Sequence, residues 1–355
     1  MKKLFLALAL FSAMMLGACG GQEEAVNEQD EEKNEQQEEQ VLPPEENINP
    51  LTGLADGISD EAMTRVPVAI MVSNSYDSLP QWGISRADII YEMLAEGRIT
   101  RFLAIFKDPS KIEKLASVRS SRPYFIDIAQ SYGAVYMHFG GSVPAYEAIA
   151  ARSDLISMDG IRGGWEGSLF FRDPDRRKEI GLEHSVYTTG EYIEQALDTL
   201  SAEDLSQPEQ PSAFDFAEEH AALNGQPCSR VTVTFSSRHK PYFEYNETNG
   251  TYLRYQYGEP QMDAWHNVQL EVKNLFVLRM KTTDIPSDLN LIDVNATGSG
   301  EGYYFCEGKY VPITWEKQSY NSPIYFYDRN GQSLSVCPGN TFVSVVTTSA
   351  DVVIE

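Results

Sequence analysis

Basic residues are scarce in this 355-residue chain: 28 Lys and Arg stand against 52 Asp and Glu, a formal net charge of −24. That imbalance excludes sequence-independent nucleic-acid binding, which needs a cationic surface. Histidine occurs five times and cysteine four times, and neither falls at a zinc-ligand spacing. No metal and no cofactor is therefore expected. HExxH, GxSxG, a Walker A loop and GxGxxG after a strand are all missing, so the common hydrolase, nucleotide and dinucleotide chemistries have no signature here. No internal repeat is visible.

What is present begins with an address. Lys2 and Lys3 precede the apolar run Leu4–Leu16, which is too short to span a bilayer and suits a signal-peptide core. The run ends Leu16-Gly17-Ala18-Cys19-Gly20, small residues before a cysteine, and resembles the lipobox of bacterial lipoproteins. That resemblance implies a lipid on Cys19 and a place on the outer face of the cytoplasmic membrane. From Gly20 to Asn49 eleven acids face one lysine, Lys33. Such a segment buries no apolar surface and is expected to be a disordered, self-repelling tether. Beyond it the remainder, 50–355, still carries a net −16.

The rest is long enough for two domains, and hydrophobic residues at 42% suffice to fill both. Val66–Val72 is a continuous apolar run and predicts a buried strand. Ile89–Leu94 and Ile99–Phe106 flank Glu96-Gly97-Arg98 and predict a hairpin. Ser120 or Ser121 is placed to cap a helix beginning near Pro123; Ala134–Phe139 follows as a strand, and Ser142 caps a helix over 144–151. Thr188-Thr189-Gly190-Glu191 predicts a helix start running to Leu200. Strand and helix alternate, which predicts an α/β-type domain with a mixed sheet. Prolines and acids over 206–228 mark a linker. After it come β signals: 231–235, 242–245, 251–257, 268–280, 303–306, 310–315, 324–327, 333–336 and 341–347, with Asn249-Gly250 and Asn330-Gly331 as hairpin turns. Gly298-Ser299-Gly300-Glu301-Gly302 reads as a loop between strands. The expectation is an α+β chain with a signal peptide over 1–18, lipidated Cys19 and tether over 19–49, an α/β domain over 50–205, the linker, and a β-rich domain over 229–355. Cys306 and Cys337, both in apparent strands outside the cytoplasm, are the best pair for a disulfide.

The chemistry concentrates in Leu115–Ser142. Arg119 and Arg122 lie three apart at a helix start, and a strand then ends in His138, Gly140, Gly141 and Ser142. Guanidinium forks and free N–H groups at glycines favour an oxyanion. Arg172, in a Gly-, Arg- and aromatic-rich loop, is a further candidate for the same site. The alternative is that these arginines pair with surface acids, that His138 is a hydrogen-bonded structural residue, and that Trp82, Trp165, Trp265 and Trp315 are anchors. Glu92 and Glu96, near the hairpin, read as solvated or ion-paired rather than catalytic.

Asn49-Pro50-Leu51-Thr52-Gly53, Arg86-Ala87-Asp88-Ile89-Ile90-Tyr91-Glu92, Thr100-Arg101-Phe102, Val118-Arg119-Ser120-Ser121-Arg122-Pro123-Tyr124 and His138-Phe139-Gly140-Gly141-Ser142 together resemble the YerB-like lipoproteins of Gram-positive bacteria. Tyr252-Leu253-Arg254, Lys273-Asn274, Thr314-Trp315-Glu316-Lys317 and Pro338-Gly339-Asn340-Thr341 continue the likeness. It implies an N-terminal α/β-type domain and a C-terminal β-rich domain, but no reaction. A weaker likeness is to the LytR–CpsA–Psr transferases, whose Pro-Arg-Asp is missing here together with the Asp that helps hold a metal. Two readings follow. One is an anchored lipoprotein that binds an anionic cell-wall glycan or lipid phosphate, or serves as an envelope scaffold. The other is an envelope hydrolase or phosphotransferase using Arg119, Arg122 and His138.

Overall fold

The computed structural model describes residues 46–206, 214–217, 223–287 and 290–355. The signal peptide, Cys19, the tether up to residue 45 and much of the linker lie outside the described residues; the expected tether ends too late, since Asn49 is buried and donates to Asp88 at 3.0 Å. The N-terminal part supplies β1 (Val68–Ser73), β2 (Ile89–Leu94), β3 (Thr100–Phe106), α1 (Pro123–Ser131), β4 (Val135–His138), α2 (Val143–Ala150), β5 (Ser157–Asp159) and α3 (Gly190–Leu197). The C-terminal part is strand-rich: β6 (Arg230–Val233), β7 (Tyr242–Asn246), β8 (Thr251–Gln256), β9 (Asn274–Met280), β10 (Gly298–Cys306), β11 (Lys309–Lys317), β12 (Thr341–Thr347) and β13 (Val352–Ile354). The chain is thus α+β, with a mixed sheet and few helices.

Strands from both parts enter one sheet. Across it run β11, β10, β9, β12, β2, β3, β1, β4 and β5. The seam is β2 against β12, parallel, with Ile89 opposite Thr341 and Met93 opposite Val345. Every residue of β1, β2 and β3 is buried, as are six of the seven in β12. Runs apolar on both faces suit central strands covered on both sides. A second sheet, of β6, β7, β8 and β13 with short flanking strands, is built from the C-terminal part. Phe102 and Phe243 both pack edge-on to Phe342, at 5.8 and 5.2 Å between centroids, so one aromatic cluster joins the two sheets.

The hairpin between β2 and β3 turns at Gly97 and Arg98, both left-handed at φ 62° and 66°. Glycine takes that conformation without a Cβ penalty. Side-chain caps hold the later helices, Ser142 at α2 and Thr189 at α3. At α1 the structure departs from the sequence reading: the N-cap is Arg122 and it makes no side-chain cap bond. Ser121 is occupied elsewhere, accepting from Tyr136 Oη at 2.8 Å. Residues 298–302 are not a loop but the first half of β10. A Cβ on Gly300 would sit 2.7 Å from the Trp315 ring and one on Gly302 2.6 Å from the Val277 carbonyl, so glycine here permits close strand packing. The predicted strand 268–280 is broken into 268–269, 271–272 and 274–280, with its pieces in three different sheets. Cys306 and Cys337 are joined by a disulfide, their Cα atoms 6.8 Å apart.

Candidate functional site

Two buried ionic clusters lie on β2, β3 and the turn between them. The first sits on the seam. Glu92, in the middle of β2, has no exposed surface. One carboxylate oxygen accepts from Arg254 at 2.7 Å. The other accepts from Asn74 at 2.9 Å and Thr100 at 2.7 Å and lies 2.8 Å from His239 Nε2. Burial alone would raise this carboxyl, but Arg254 and the hydrogen bonds outweigh it and bring the pKa down to about 2. The network continues through Gln261 to Gln81 at 3.0 Å. Nearby, buried Asp263 accepts from the N–H groups of Gly83 and Ser85 at 2.9 and 3.0 Å. Trp82 and Trp265 pack at 5.7 Å with the Lys114 ammonium against both rings. Glu92 is therefore a structural ion-pair partner, and these tryptophans are anchors across the seam.

The second cluster contains the predicted arginines. Arg101 on β3 and Arg122 at the start of α1 each donate to one oxygen of Glu96. Arg119 donates to the Glu183 carboxylate, and at 2.9 Å to its backbone carbonyl. Arg172 donates to the neighbouring Leu182 carbonyl at 2.7 Å and to Glu166 at 2.9 Å, with its guanidinium 4.9 Å from the Phe139 ring centre. Arg119 and Arg172 thus grip consecutive carbonyls of one turn.

Charge in this cluster is unbalanced. Arg101, Arg119 and Arg122 face Glu96 and Glu183, three cations against two anions. Burial, then repulsion from Arg122, lowers the Arg101 guanidinium to about 9. Glu96 is held below its usual range because Arg101 and Arg122 outweigh its own burial. Glu183 is held down by the Arg119 hydrogen bond and then by its charge. The Nε atoms of Arg101, Arg119 and Arg122 are buried without a hydrogen-bond partner. The arginine side chains are 2–11% exposed, whereas Glu96 is 23% and Glu183 67% exposed. The acids form the lid and the arginines the floor.

The remaining predicted residues frame this site rather than open into it. His138 is fully buried, with Nδ1 2.7 Å from the Gly140 carbonyl and Nε2 2.9 Å from Ser157 Oγ. Burial lowers its pKa, only partly countered by Asp159. The Gly140 N–H is not free; it donates to Asp159 Oδ1 at 2.7 Å. Ser142 N–H donates to the Ser121 carbonyl at 3.3 Å, and Gly141 pairs with Ser121 as an isolated bridge. The Gly140 and Ser142 N–H groups are thus used in fixing the turn beside Arg122. Among the described residues no group of three or more His, Cys, Asp or Glu side chains is set to hold a metal.

The geometry belongs to a known pair of domains. Residues 51–203 match the DUF3048 N-terminal domain, and residues 231–343 the DUF3048 C-terminal domain, both described as protein of unknown function. The chain belongs to the DUF3048 family. A relative from Bacillus subtilis (strain 168), named "Putative lipoprotein YerB", is 28% identical over 298 residues, covering 84% of this chain and 85% of that protein. The crystal structure of YerB protein from Bacillus subtilis superposes with a TM-score of 0.73 at 27% identity, covering 86% of this chain and 99% of that one.

For this DUF3048 protein, sequence reasoning found Arg119, Arg122 and Arg172 but missed Arg101 and Glu183. Arg101 carried a signal: it is the only charge within Thr100-Arg101-Phe102-Leu103-Ala104-Ile105-Phe106, and a charge inside a buried strand demands a partner. Glu183 had none, since it lies 64 positions from Arg119 in a short polar turn.

Proposed function

We propose that this DUF3048 protein is held on the outer face of the cytoplasmic membrane by a lipid on Cys19 and binds an anionic cell-envelope ligand through Arg101, Arg119, Arg122 and Arg172. Residues 20–45 act as a spacer that keeps the folded part off the anionic lipid surface. The reading rests on one observation: three nearly buried guanidiniums share two carboxylates, and the more exposed partners are the acids. A phosphate or carboxylate displacing Glu183 or Glu96 would meet preformed donor forks with the strength of charge-assisted hydrogen bonds. In a chain otherwise strongly acidic, such an excess of cations is a local feature. His138, Gly140, Gly141 and Ser142 support the backbone on which Arg119 and Arg122 stand. Binding is favoured over catalysis because both ring nitrogens of His138 are engaged within the fold, and general acid–base work needs a group that reaches the ligand.

The test is titration with an undecaprenyl phosphate analogue and, separately, a teichoic-acid fragment, which distinguishes lipid phosphate from wall glycan. Arg119→Ala and Arg122→Ala should each weaken binding by about 1.5–3 kcal/mol, and Arg119→Lys should also weaken it, because lysine keeps the charge and loses the fork. Failure of both ligands, or equal binding by folded variants, would leave the scaffold reading in its place. Anchoring is tested by labelling cells with a palmitate analogue: Cys19→Ala should lose the label.

A further inference from the structure

A second concave site, whose lining includes none of the clustered arginines, is built by residues of both parts of the chain. It is a cavity of about 920 Å³ between the loop 76–81, residues 179–180 and the hairpin 256–262. That volume suits a small-molecule or oligosaccharide site. Its acidic lining residues are Asp77, Glu179 and Glu259, and it has no lysine or arginine.

Gln256 lines this cavity, is 3% exposed, and has no hydrogen-bond partner for either amide atom. A buried carboxamide left unmade is costly, and native folds rarely tolerate one without a reason. The other two glutamines of the lining are satisfied: Gln81 donates to Ser73 and Asn74, and Gln261 donates to Gln81. The next residue, Tyr257, is held left-handed at φ 55°. With Gly258 at φ 85° it forms the two-residue turn between paired Gln256 and Glu259, and that turn sets where the Tyr257 ring projects. That ring meets Tyr76 edge-to-face at 5.2 Å, and both rings are exposed, Tyr76 by 68%. Arg176 fixes the loop that carries Tyr76, donating to the carbonyls of Ser78 and Pro80 at 2.9 and 3.1 Å. The wall is therefore preorganised.

We infer that this cavity binds a glycan bearing N-acetylated amino sugars, with the acetamido group paired to the Gln256 carboxamide and a pyranose ring packed on Tyr76. An acetamido group offers one N–H and one carbonyl, the complement of the two unpartnered amide atoms. Its methyl meets the apolar side chains of Leu79, Ile180 and Met262. The flat exposed tyrosine suits the apolar face of a sugar ring. The acidic rim selects against anionic polymers, so this ligand differs in charge from the one proposed for the arginines. A peptide added as an extra strand fits less well, because Pro260 in the edge strand 259–260 has no N–H to offer.

The experiment uses the full-length chain in detergent, titrated with tetra-N-acetylchitotetraose, cellotetraose and the fully de-N-acetylated glucosamine tetramer. The acetylated tetramer should bind, and the other two should bind at least tenfold more weakly. Gln256→Leu should lower its affinity at least tenfold, Tyr76→Ala several-fold, and Arg119→Ala not at all. Absence of binding at millimolar ligand, equal affinity for cellotetraose, or unchanged affinity in Gln256→Leu would overturn the inference. Should Gln256→Leu fail to fold, Tyr76→Ala decides, since Tyr76 is exposed and its truncation leaves the core untouched: unchanged affinity there also overturns it. The unchanged behaviour of Arg119→Ala separates this result from the fate of the anion site.

Discussion

Glu92 and Arg254, 162 positions apart, meet at 2.7 Å with neither side chain exposed to solvent. One residue comes from the N-terminal DUF3048 domain and the other from the C-terminal one. A charge pair in such surroundings contributes little net stability against an apolar substitute, but removing one partner strands the other. Glu92→Gln should therefore cost about 3–5 kcal/mol in urea unfolding, because Arg254 keeps its charge in a fully buried site. Arg254→Met should cost a similar amount. The double variant should cost clearly less than the two single losses combined, which a double-mutant cycle reads directly. A loss below about 1 kcal/mol in Glu92→Gln would mean that the pair does not hold the seam.

Asp88 lies four residues earlier on the same segment and behaves in the opposite way. Burial, helped by Asp56, raises its carboxyl to about 7, despite bonds from Lys107 N–H and Asn49. Its folded value lies above its unfolded one, so its contribution is fully present below about pH 3.8 and is lost as pH rises through 7. Glu92 is lowered, so its contribution is present above about pH 4.5 and is lost as pH falls towards 2. The sign of the Asp88 limb predicts that its own contribution falls by about 2–4 kcal/mol between pH 5 and 7.5, read as the difference between the wild type and Asp88→Asn. Chemical unfolding across that range measures it. Asp88→Asn should flatten the decline, since asparagine still accepts from Lys107 N–H and carries no charge. Parallel profiles for the wild type and Asp88→Asn would show that Asp88 is not a poorly stabilised carboxylate in the fold.

Much of the N-terminal architecture was legible because it is local. Apolar runs, a turn with glycine, and Ser or Thr caps are written within a few residues of where they act. The double-sided burial of β1 was also visible in the unbroken apolar run Val66–Val72, whereas Glu92 and Ser344 interrupt β2 and β12. Nothing in β2 or β12 says that they pair with each other, because parallel pairing carries no turn to fix the partner. Arg119 and Arg122 were legible as neighbours in sequence. That Arg101 completes the cluster depends on β3 lying beside the Ser120 carbonyl, 2.6 Å from its guanidinium. The Gly298–Gly302 segment misled because glycine is ordinarily a sign of a loop. Here it marks the absence of room over Trp315. Gln256 carried no signal at all, since an unpartnered amide is defined only by what fails to surround it.

The disulfide between Cys306 and Cys337 closes a loop with a sequence separation of 31. In the chain-entropy account a loop of that length contributes roughly 3–4 kcal/mol by restricting the unfolded chain. Reduction should therefore lower the urea midpoint, and Cys306→Ser should lower it to the same value, with no further effect of reductant. Cys228 is the free thiol among the described residues; it is buried, and burial pushes its pKa up to about 11. The folded, oxidised protein should accordingly resist alkylation and yield a single modified cysteine on denaturation without reductant. Three modified cysteines under those conditions would show that the bond is not formed.

Glu96 makes the sharpest test of the arginine site, because two opposite effects are expected from one change. Its carboxylate joins Arg101 and Arg122, whose side chains are 2% and 8% exposed, while its own is 23% exposed. In Glu96→Gln the amide keeps the shape but removes the charge, leaving three guanidiniums against Glu183 alone. The fold should lose about 1–3 kcal/mol, since two largely buried cations give up a charged acceptor. Anion binding should move the other way. If Glu96 occupies the place that a ligand's oxyanion would take, its removal frees two forks at once. Affinity for inorganic phosphate or a glycerol phosphate oligomer should rise about tenfold, or 1.4 kcal/mol. The two effects are linked: a ligand that binds only the folded chain raises its stability. Added phosphate should therefore raise the melting temperature of Glu96→Gln more than that of the wild type, and Arg122→Ala in the same background should abolish the difference. A folded Glu96→Gln protein with unchanged phosphate affinity and no stabilisation would mean that Glu96 is a permanent structural partner and that the anion enters elsewhere or not at all.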